Sequence, residues 1–405
     1  MIDMADKNQF GWYRFESSAA QGADLKVAAI EGKEALGRPY YFDIDLVTDK
    51  YDLDFSAMLR KPGLLTMQQS GADRTSYHGV ITSIEAHFEV VEDKLLIKLK
   101  LEPEMSALSH YILNDTYVDN ADGLSSQDLL RTVFNRYGYQ EGRDFEFKLS
   151  STPRRRKFVM QYRESVLDFI HRWIEFEGIY YYFEQGENQE KVVFIDSIAS
   201  LPVKSVELKY RPIGMFETEL FRVSLQAFNE HVSSVSTRSV IQNYNYRHAS
   251  DLVQAQKSSG QEQFGEVMYF GFDVRQQEEA NYYAQIRLEQ QLVRSRIIKG
   301  NGMASGLRPG LGFNVEGHPR NALNSDFRVV SIIHRGSQTG YGVAVVNENA
   351  TADESFYRVE IEAIPQGIEF RLPSLVPWPR VEGYLPGFID AEGNGQSAEI
   401  DHYGR

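Results

Sequence analysis

The stretch "VMQYRESVLDFIHRWIEFEGIYYYFE", from Val159 to Glu184, decides the fold because it predicts a helix that leads directly into a strand. Ser165 occupies an N-cap position with Asp168 three residues later, and Gly178 provides a stop signal. Apolar side chains recur between these signals at three- and four-residue spacing, at Val166, Phe169, Ile170, Trp173 and Ile174. The following "IYYYF" has the β-branched and aromatic composition of a strand.

The two faces of this predicted helix differ in composition. The helix is about 20 Å long, and its aromatic side chains are expected in the core. The other face carries Asp168, His171, Arg172 and Glu175, which we expect to face water, so a membrane-facing stripe is disfavoured. His171 and Glu175 lie four residues apart, but neither an HExxH motif nor a third ligand accompanies them. The spacing therefore predicts a solvated pair rather than a metal site.

The first quarter of the chain has the two-residue period of half-buried antiparallel strands. In "FDIDL", which starts at Phe42, apolar residues alternate with Asp43 and Asp45, so the two aspartates are expected to face solvent. "GVITSIEAHF", starting at Gly79, alternates in the same way. "KLLIKLKLE", starting at Lys94, alternates leucine and isoleucine with mostly lysine, and the polar "VVEDK" before it predicts a hairpin.

Helix and strand signals follow one another in the rest of the chain. Ser125 and Asp128 cap a helical pattern that stops at Gly138, and "DFEFKL" then predicts a strand. From about residue 201 the chain is mostly strand-like, interrupted by one longer polar helix at about 276–296. "FRVVSIIH" and "YRVEIEAI" predict late strands, and the proline-rich "RLPSLVPWPRVEG" predicts a linker. The pattern indicates a mainly β fold with a smaller α/β element between two β-rich bodies.

The composition excludes several classes of function. The formal net charge is −14, so the chain repels phosphate backbones and a nucleic-acid partner is not expected. The basic run from Arg154 to Lys157 is an exception that we interpret as a solvated loop. Because the sequence contains no cysteine, disulfides, thiolate catalysis and zinc–cysteine sites are excluded.

The N-terminal sequence bears on location. "MIDMADKNQFGWYRF" lacks the apolar core of a signal peptide, and no apolar run approaches the roughly 20 residues that span a bilayer. We therefore expect a cytoplasmic protein whose export, if it occurs, needs no classical signal peptide.

No arrangement of residues in the sequence requires an enzyme. The acidic cluster Asp43, Asp45, Asp52 and Asp54 could support acid–base chemistry, but strand alternation already accounts for two of its members. The glycine-rich segment 300–313 matches neither a Walker loop nor GxGxxG, and its serine is not in a G-x-S-x-G elbow. We predict no catalytic, cofactor-binding or metal-binding residues, although a triad assembled from distant segments stays open.

Six blocks of the sequence, in order, resemble the VgrG family, the trimeric spike proteins of bacterial type VI secretion systems. They include "AAIEGKEALGRPYYFDIDL", "YHGVITSIE", "LEPEMSALSHYILNDTYVDNADGLSSQDLLRTVFNRYG" and "GLRPGLGFNVEGHPR". The opening stretch is the most specific, because the family typically shows Q-Y-x-E-S-D-x-x-F-x-x-R-x-x-E-x-x-G-I-x-Y-x-F there. Val166 stands where that signature usually has an aspartate. The final "PRVEGYLPGFIDAEGNGQSAEIDHYGR" resembles the start of the family's OB-fold, within which the sequence ends.

The resemblance implies a mechanical function rather than a catalytic one. It implies a hub of two related β-barrels with α/β insertions, and a homotrimer whose six barrels form a ring on a hexameric, Hcp-like tail-tube protein. It also implies contacts with baseplate proteins, and with a tip protein and effectors through a C-terminal needle. Assembly would be cytoplasmic, followed by export through the type VI apparatus without a signal peptide. The alternatives are the hub of a phage tail or other contractile injection machine, and an enzyme such as a cell-wall hydrolase.

Four segments are expected in this hub. Residues 1–105 are predicted to form the first barrel and residues 106–200 the α/β insertion. Residues 201–372 are predicted to form the second barrel, and residues 373–405 the linker and a truncated start of the OB-fold.

The structural or interface candidates come from the opening stretch. They are Phe169, Trp173, Tyr180 and Tyr182. We expect them to organise the insertion that supports the trimer.

Overall fold

The computed structural model describes residues 12–20, 24–68, 74–91, 94–119, 122–151, 154–212, 224–244, 252–260, 264–338 and 356–384. Its strands are β1 (Tyr13–Ser17), β2 (Lys26–Ala35), β3 (Arg38–Thr48), β4 (Pro62–Met67), β5 (Thr75–Val91), β6 (Lys94–Glu102), β7 (Ile112–Val118), β8 (Phe145–Lys148), β9 (Phe158–Ser165), β10 (Tyr180–Gln185), β11 (Glu190–Ile195), β12 (Ser205–Tyr210), β13 (Ser224–Val232), β14 (Arg238–Tyr244), β15 (Leu252–Ser258), β16 (Glu266–Phe270), β17 (Arg296–Met303), β18 (Gly312–Glu316), β19 (Asp326–Ser337) and β20 (Phe356–Pro365). Its α-helices are α1 (Phe55–Met58), α2 (Ser126–Arg136), α3 (Val166–Glu177) and α4 (Gln277–Leu292). The mainly β prediction is confirmed.

The first six strands form one antiparallel row in the order β1-β4-β5-β6-β3-β2. The predicted alternation of β6 is confirmed, because its inward apolar residues are buried, namely Leu95, Ile97, Leu99 and Leu101. In β3, Phe42 and Ile44 are fully buried. Asp43 is exposed, as predicted, whereas Asp45 is half-buried. The row curls until β1 lies beside β2 again, so the first β-rich body is barrel-like.

The alternation predicted for β5 is interrupted by a β-bulge. The register against β6 shifts between Ile81 and Ser83. As a result, buried Tyr77 and Ile81 precede the bulge, and half-buried Ile84 follows it on the core side. A bulge adds one residue and reverses the phase of the alternation, which is why a single unbroken pattern did not describe this strand.

The second β-rich body is a closed barrel of six strands. Its strands run in the order β19-β18-β12-β13-β17-β20, and β20 pairs back with β19. The glycine-rich segment 300–313 lies in this barrel. Gly302 sits on β17 where an added Cβ would lie 2.2 Å from the carbonyl oxygen of Ser224, whereas Gly306 and Gly310 have the positive φ angles expected of a turn.

The two barrels share one sheet because β2 pairs with β19. The antiparallel ladder runs from Ala29 opposite Ser337 to Ala35 opposite Ser331. The resulting sheet has 12 strands. Core residues of both barrels, such as Phe42 and Ile332, belong to one hydrophobic cluster. The barrels are therefore joined by backbone hydrogen bonds and a common core rather than by a linker.

The insertion between the barrels contains both helices that the sequence predicted. Ser125 and Asp128 form a capping box at the start of α2. The hydroxyl of Ser165 accepts from the Asp168 amide at the start of α3, and Gly178 closes that helix with a left-handed φ of 72°. Two small sheets accompany these helices, β10-β11-β8 and β7-β9.

The helix predicted at about 276–296 is α4, followed by a 3-10 turn at Val293–Ser295. It packs against β14 and β15 of a three-stranded sheet in the order β15-β14-β16. Buried residues of α4, including Tyr283 and Ile286, belong to the same hydrophobic cluster as α3 and β10. The insertion and this part of the second β-rich body thus share a second core.

After β20 the chain runs from residue 366 to residue 384 without regular helix or strand, as expected of a linker. Residues 385–405, on which the start of the OB-fold was predicted, lie outside the described residues. The four segment boundaries stay predictions. Within the described segments, no helix is both long enough and apolar enough to cross a bilayer.

Candidate functional site

A buried polar cluster joins the two barrels where β2 meets β19. Glu34 on β2 accepts hydrogen bonds from the Tyr77 hydroxyl at 2.7 Å and from Nε2 of His334 at 2.9 Å. Nδ1 of His334 lies 2.8 Å from the Tyr357 hydroxyl. Because Nε2 faces a carboxylate, it is assigned the ring proton and donates to Glu34, and Nδ1 then accepts from the Tyr357 hydroxyl. Each barrel contributes two of the four side chains.

Burial makes this polar cluster costly to disrupt. Desolvation raises the pKa of both Tyr77 and Tyr357, so both phenols keep the protons that they donate. The guanidinium of Arg308 lies 4.7 Å from the centroid of the Tyr77 ring, and its charge opposes part of the rise in the pKa of both tyrosines. A buried carboxylate that loses a donor keeps its desolvation cost. The cluster therefore fixes the position of one barrel against the other.

The segment after β19 fills the gap between β1 and β2. The backbone N–H of Gln338 donates to the Ala28 carbonyl at 2.9 Å. Its side chain accepts from the Tyr13 backbone N–H at 3.2 Å and donates to the Tyr13 carbonyl at 3.0 Å. Gly336 leaves room for this arrangement, because an added Cβ would lie 2.0 Å from the Tyr13 hydroxyl oxygen. The side-chain amide of Gln338 thus connects β1 to β2 where no backbone hydrogen bonds between these two strands do so in the described residues.

The four residues singled out from the sequence all lie in the core of the insertion: Phe169, Trp173, Tyr180 and Tyr182. The ring of Trp173 meets that of Trp378 edge-on, with centroids 5.4 Å apart. The ring of Tyr180 meets that of Phe370 in the same way at 5.0 Å. Trp378 and Phe370 follow β20, so this core holds the C-terminal segment against α3. A role in supporting a trimer stays a proposal.

The prediction that the polar face of α3 meets water is wrong for three of its four residues. Asp168 is exposed, but His171, Arg172 and Glu175 are buried. Arg172 forms a two-pronged ion pair with Glu164 of β9, at 2.6 and 2.9 Å. The face is covered because β9 and the segment after β20 pack over it, and both lie outside the helix pattern that guided the prediction.

The predicted solvated pair of His171 and Glu175 is also wrong, because both side chains are buried and each has a different partner. Glu175 forms an ion pair with Arg38 of β3, and its other oxygen accepts from the backbone N–H groups of Leu375 at 2.8 Å and Val376 at 3.0 Å. Nε2 of His171 lies 2.9 Å from the Tyr181 hydroxyl. Desolvation, assisted by the Arg38 charge, lowers the pKa of His171 to about 3. The ring is therefore neutral at physiological pH.

The basic run is not a solvated loop throughout. Arg155 and Lys157 are exposed, but the side chains of Arg154 and Arg156 are only 9% exposed. Arg156 forms an ion pair with Glu177 at 2.7 Å and donates to the Tyr283 hydroxyl at 2.7 Å. The run thus links the end of α3 to α4.

The outer face of the shared sheet carries a depression of about 800 Å³ lined by charged residues. Across neighbouring strands, opposite charges meet: Lys98 lies opposite Asp45, and Glu31 lies opposite Arg335. Partial removal from water raises the pKa of the Asp43 and Asp45 carboxyl groups, while nearby lysines oppose that shift. Because bases compensate the acids here, the surface suits contact with another protein better than paired-carboxylate catalysis.

A groove of about 660 Å³ lies beside α3, and we call it the strap groove because residues 374–381 form one of its walls. A second wall comes from β9, with Phe158 at its rim. A third wall comes from the end of β16 and the residues after it, with Phe270 at its rim. Trp173 and Phe176 of α3 line it as well.

Among the described residues, no group of three or more histidine, aspartate or glutamate side chains could hold a metal ion. The buried charged side chains Glu34, Arg156, Arg172 and Glu175 each have a hydrogen-bond or ion-pair partner inside the fold. The result is a double barrel held together by a buried cluster, and an insertion braced by internal ion pairs.

The same architecture and sequence match a known family. Residues 33–340 match the sequence model of a protein family described as the phage tail baseplate hub (GPD). The chain belongs to the phage tail baseplate hub family. The match extends from the last residues of β2 through β19, so it includes the whole insertion and every strand of the barrels except β1, most of β2 and β20.

Individual relatives share about a quarter of their residues or fewer with this hub. The type VI secretion system spike protein VgrG1b of Pseudomonas aeruginosa is 25% identical over 395 residues, which cover 94% of this chain and 50% of that protein. The actin cross-linking toxin VgrG1 of Vibrio cholerae is 22% identical over 97% of this chain and 36% of that protein. This chain thus spans half or less of the length of these two relatives.

A solved structure has the same fold. It is the Escherichia coli c3393 protein, described as a component of the type VI secretion system with structural similarity to the T4 tail proteins gp27 and gp5. The TM-score is 0.69 at 20% identity, covering 94% of this chain and 87% of that one. Together these matches confirm the resemblance found in the sequence.

Sequence reasoning missed the buried polar cluster of this hub. The available signal was a polar residue in phase with apolar ones. Glu34 falls on the inward positions of β2 that Ile30 also occupies, and His334 is in phase with buried Ile332 of β19. A charged residue at an inward strand position indicates a partner, but nothing local shows that the two partners are 300 residues apart.

Proposed function

We propose that this hub is part of a type VI secretion spike, a mechanical component at the tip of the tail tube. The observation that carries this proposal is the pair of barrels fused through β2 and β19 into one sheet. Three copies would present six barrels, the number needed to meet a hexameric tube ring one to one. Closed cyclic symmetry is the common form of such homo-oligomers.

The construction suits a part that transmits force. A load applied to one barrel passes to the other through a backbone ladder, a shared core and the Glu34–His334 contact, all of which resist sliding. The ion pairs of Arg172 and Glu175 fix α3 to β9 and β3 in the same way. This rigidity favours a structural role, so we propose that the chain itself is not an enzyme.

The proposed partners follow from this role. They are two further copies of the chain, an Hcp-like tube protein, baseplate proteins, and a tip protein and effectors carried by a needle beyond this region. The names of the curated relatives favour a type VI context over a phage tail. We propose assembly in the cytoplasm followed by export through the apparatus without a signal peptide.

Light scattering on the purified chain tests the trimer. We expect a mass three times the 46.4 kDa of one chain, and a monomer at every concentration would contradict the proposal for this region.

Docking is tested by adding the purified tube protein of the same organism and following tube growth by turbidity and electron microscopy. We expect the trimer to seed tubes, and a tube protein from an unrelated contractile system serves as the control. Equal seeding of both would contradict specific docking.

A further inference from the structure

The segment after β20 is held in two different ways along its length. Up to Leu372 it is anchored in the fold, because Leu372 is buried and its carbonyl accepts from the side-chain amide of Gln290 at 2.6 Å. Arg371, just before it, forms an ion pair with Glu289 at 2.7 Å. Residues 374–381, which form one wall of the strap groove, are called the strap. In contrast to the residues before it, no residue of the strap is buried.

Contacts with α3 hold the strap in place. One carboxylate oxygen of Glu175 accepts from the backbone N–H groups of Leu375 at 2.8 Å and Val376 at 3.0 Å. The centroid of the Trp378 ring lies 4.5 Å from the guanidinium carbon of Arg172, and the same ring meets two aromatic rings of α3 edge-on. A longer hydrogen bond of 3.4 Å connects α4 to the first residue of the strap. The strap thus presents one tryptophan and two adjacent amides to a single helix.

The sequence of this segment suits docking that can be reversed. Residues 373–379 have the sequence "PSLVPWP", in which three of the seven residues are prolines. Proline fixes its own φ angle and favours an extended conformation in the residue before it, so such a segment loses little conformational freedom when it docks. Proline also lacks an N–H, and Glu175 accepts from two of the four N–H groups that remain. Proline-rich segments bind aromatic-lined grooves in this manner.

The charged side chains that hold the strap each keep another partner without it. Glu175 keeps its ion pair with Arg38, and Arg172 keeps both oxygens of Glu164. Opening of the strap therefore costs the strap its own contacts but leaves neither buried charge alone. Because the strap also buries little of its own surface, its opening requires less free energy than the unfolding of the hub.

We propose that the strap is a reversible intramolecular ligand of α3, which opens and closes as one unit about Pro373 while the barrels and the insertion stay folded. The site that it occupies recognises an extended, proline-flanked segment with one tryptophan, and Glu175 is the latch of this site. In the closed state the strap fixes the direction in which the chain leaves the hub. In the open state the residues after Pro373 are free to change direction. This movement needs neither the trimer nor the tube protein of the proposed function.

Amide hydrogen exchange of the full chain, followed by mass spectrometry, tests the latch. Trp378→Ala removes the ring contact, and Glu175→Gln weakens the acceptor of two strap amides. We expect either substitution to speed exchange of the strap at least about tenfold, which is the effect of losing one hydrogen bond to a charged group. Residues 366–372, α3 and both barrels should exchange as in the natural protein. Leu375→Ala is the matched control, because this side chain is 65% exposed and the N–H is kept, and strap exchange should not change.

A peptide added to the full chain tests what the site recognises. The probe is a fluorescein-labelled peptide of residues 373–381, "PSLVPWPRV", and its binding is followed by fluorescence polarisation. We expect the peptide to bind Trp378→Ala at least about tenfold more tightly than the natural protein, in which the tethered strap competes at a high effective concentration. The peptide that itself carries Trp378→Ala should not bind. Adding Glu175→Gln to the Trp378→Ala protein should weaken the binding.

Four outcomes would overturn this proposal. Strap exchange as slow as that of the barrels in both variants would make the strap a permanent part of the fold. Faster exchange throughout the hub in both variants would mean general destabilisation rather than release of a latch. Strap amides that are unprotected in the natural protein would mean that the closed state is not populated. Absence of peptide binding to Trp378→Ala would mean that the site does not recognise the segment. None of these results bears on the proposed trimer, which is tested separately by its mass.

Discussion

Acidification is expected to destabilise the insertion through one buried histidine. The His171 side chain of α3 is buried, and its Nε2 lies 2.9 Å from the Tyr181 hydroxyl. Desolvation and then the Arg38 charge lower its pKa to about 3, whereas an unfolded histidine titrates near 6.5. Between these two values the unfolded chain binds a proton that the folded chain does not. Stability is therefore fully present above the unfolded pKa and is lost as the pH falls toward 3.

The size of the effect follows from the linkage relation. Each pH unit inside this window changes the free energy of unfolding by at most about 1.4 kcal/mol per proton. Integrated from pH 7 to pH 5, the loss from His171 alone is about 2 kcal/mol. Other groups titrate in the same range, so the contribution is isolated by comparing the natural protein with His171→Gln. Glutamine keeps a hydrogen-bonding group near Tyr181 and cannot gain a charge.

Guanidinium unfolding followed by tryptophan fluorescence suits this measurement, because Trp173 lies on the same helix and packs against Trp378. The pH-induced loss of unfolding free energy should be about 2 kcal/mol smaller in His171→Gln than in the natural protein. Equal losses in the two proteins would mean that His171 takes up its proton in the folded state, and the argument from desolvation would fail.

Three further substitutions probe the cores and the join between the barrels. Trp173→Ala should lower the unfolding free energy by about 3–5 kcal/mol because the side chain is only 4% exposed and packs against Phe169, Phe176 and Trp378, and a loss under about 1 kcal/mol in denaturant unfolding would contradict that packing. Glu34→Ala should cost about 3 kcal/mol by leaving buried donors unpaired, and a double-mutant cycle with His334→Ala should show coupling rather than additivity. Gly336→Ala should cost about 1–3 kcal/mol because its Cβ overlaps the neighbouring tyrosine. Its control, Gly367→Ala, meets nothing within 4 Å and should leave the thermal midpoint unchanged.

The helices of this hub were predictable because their signals are local. The capping residues Ser125 and Ser165 and the stop at Gly178 act within one turn of the helix ends. The alternation in β6 was equally local, since each side chain is set by its own position in the pleat. The bulge in β5 escaped prediction because the extra residue is fixed by the pairing with β6, which the sequence of β5 alone does not contain.

The polar residues of α3 show where sequence reasoning fails. A histidine, an arginine and a glutamate at helical spacing are the normal composition of a solvated face. Their burial depends on residues far along the chain. Glu175 is held by Arg38, 137 residues earlier, and by the backbone of Leu375, 200 residues later. A sequence window short enough to show helix periodicity does not contain these partners. The same helix sequence is therefore compatible with an exposed polar face and with a buried one.

These long-range contacts explain how a protein with two hydrophobic cores can act as one rigid part. The barrels share one core, and the insertion with α4 forms the other. Glu175 belongs to the second core but binds Arg38 at the start of β3, in the first barrel, while its other oxygen holds the segment that follows β20. One carboxylate thus connects the barrel, the insertion and the C-terminal segment. Displacement of any one of the three would leave this buried charge without one of its partners, which makes their relative movement costly and suits the force-bearing role that we propose.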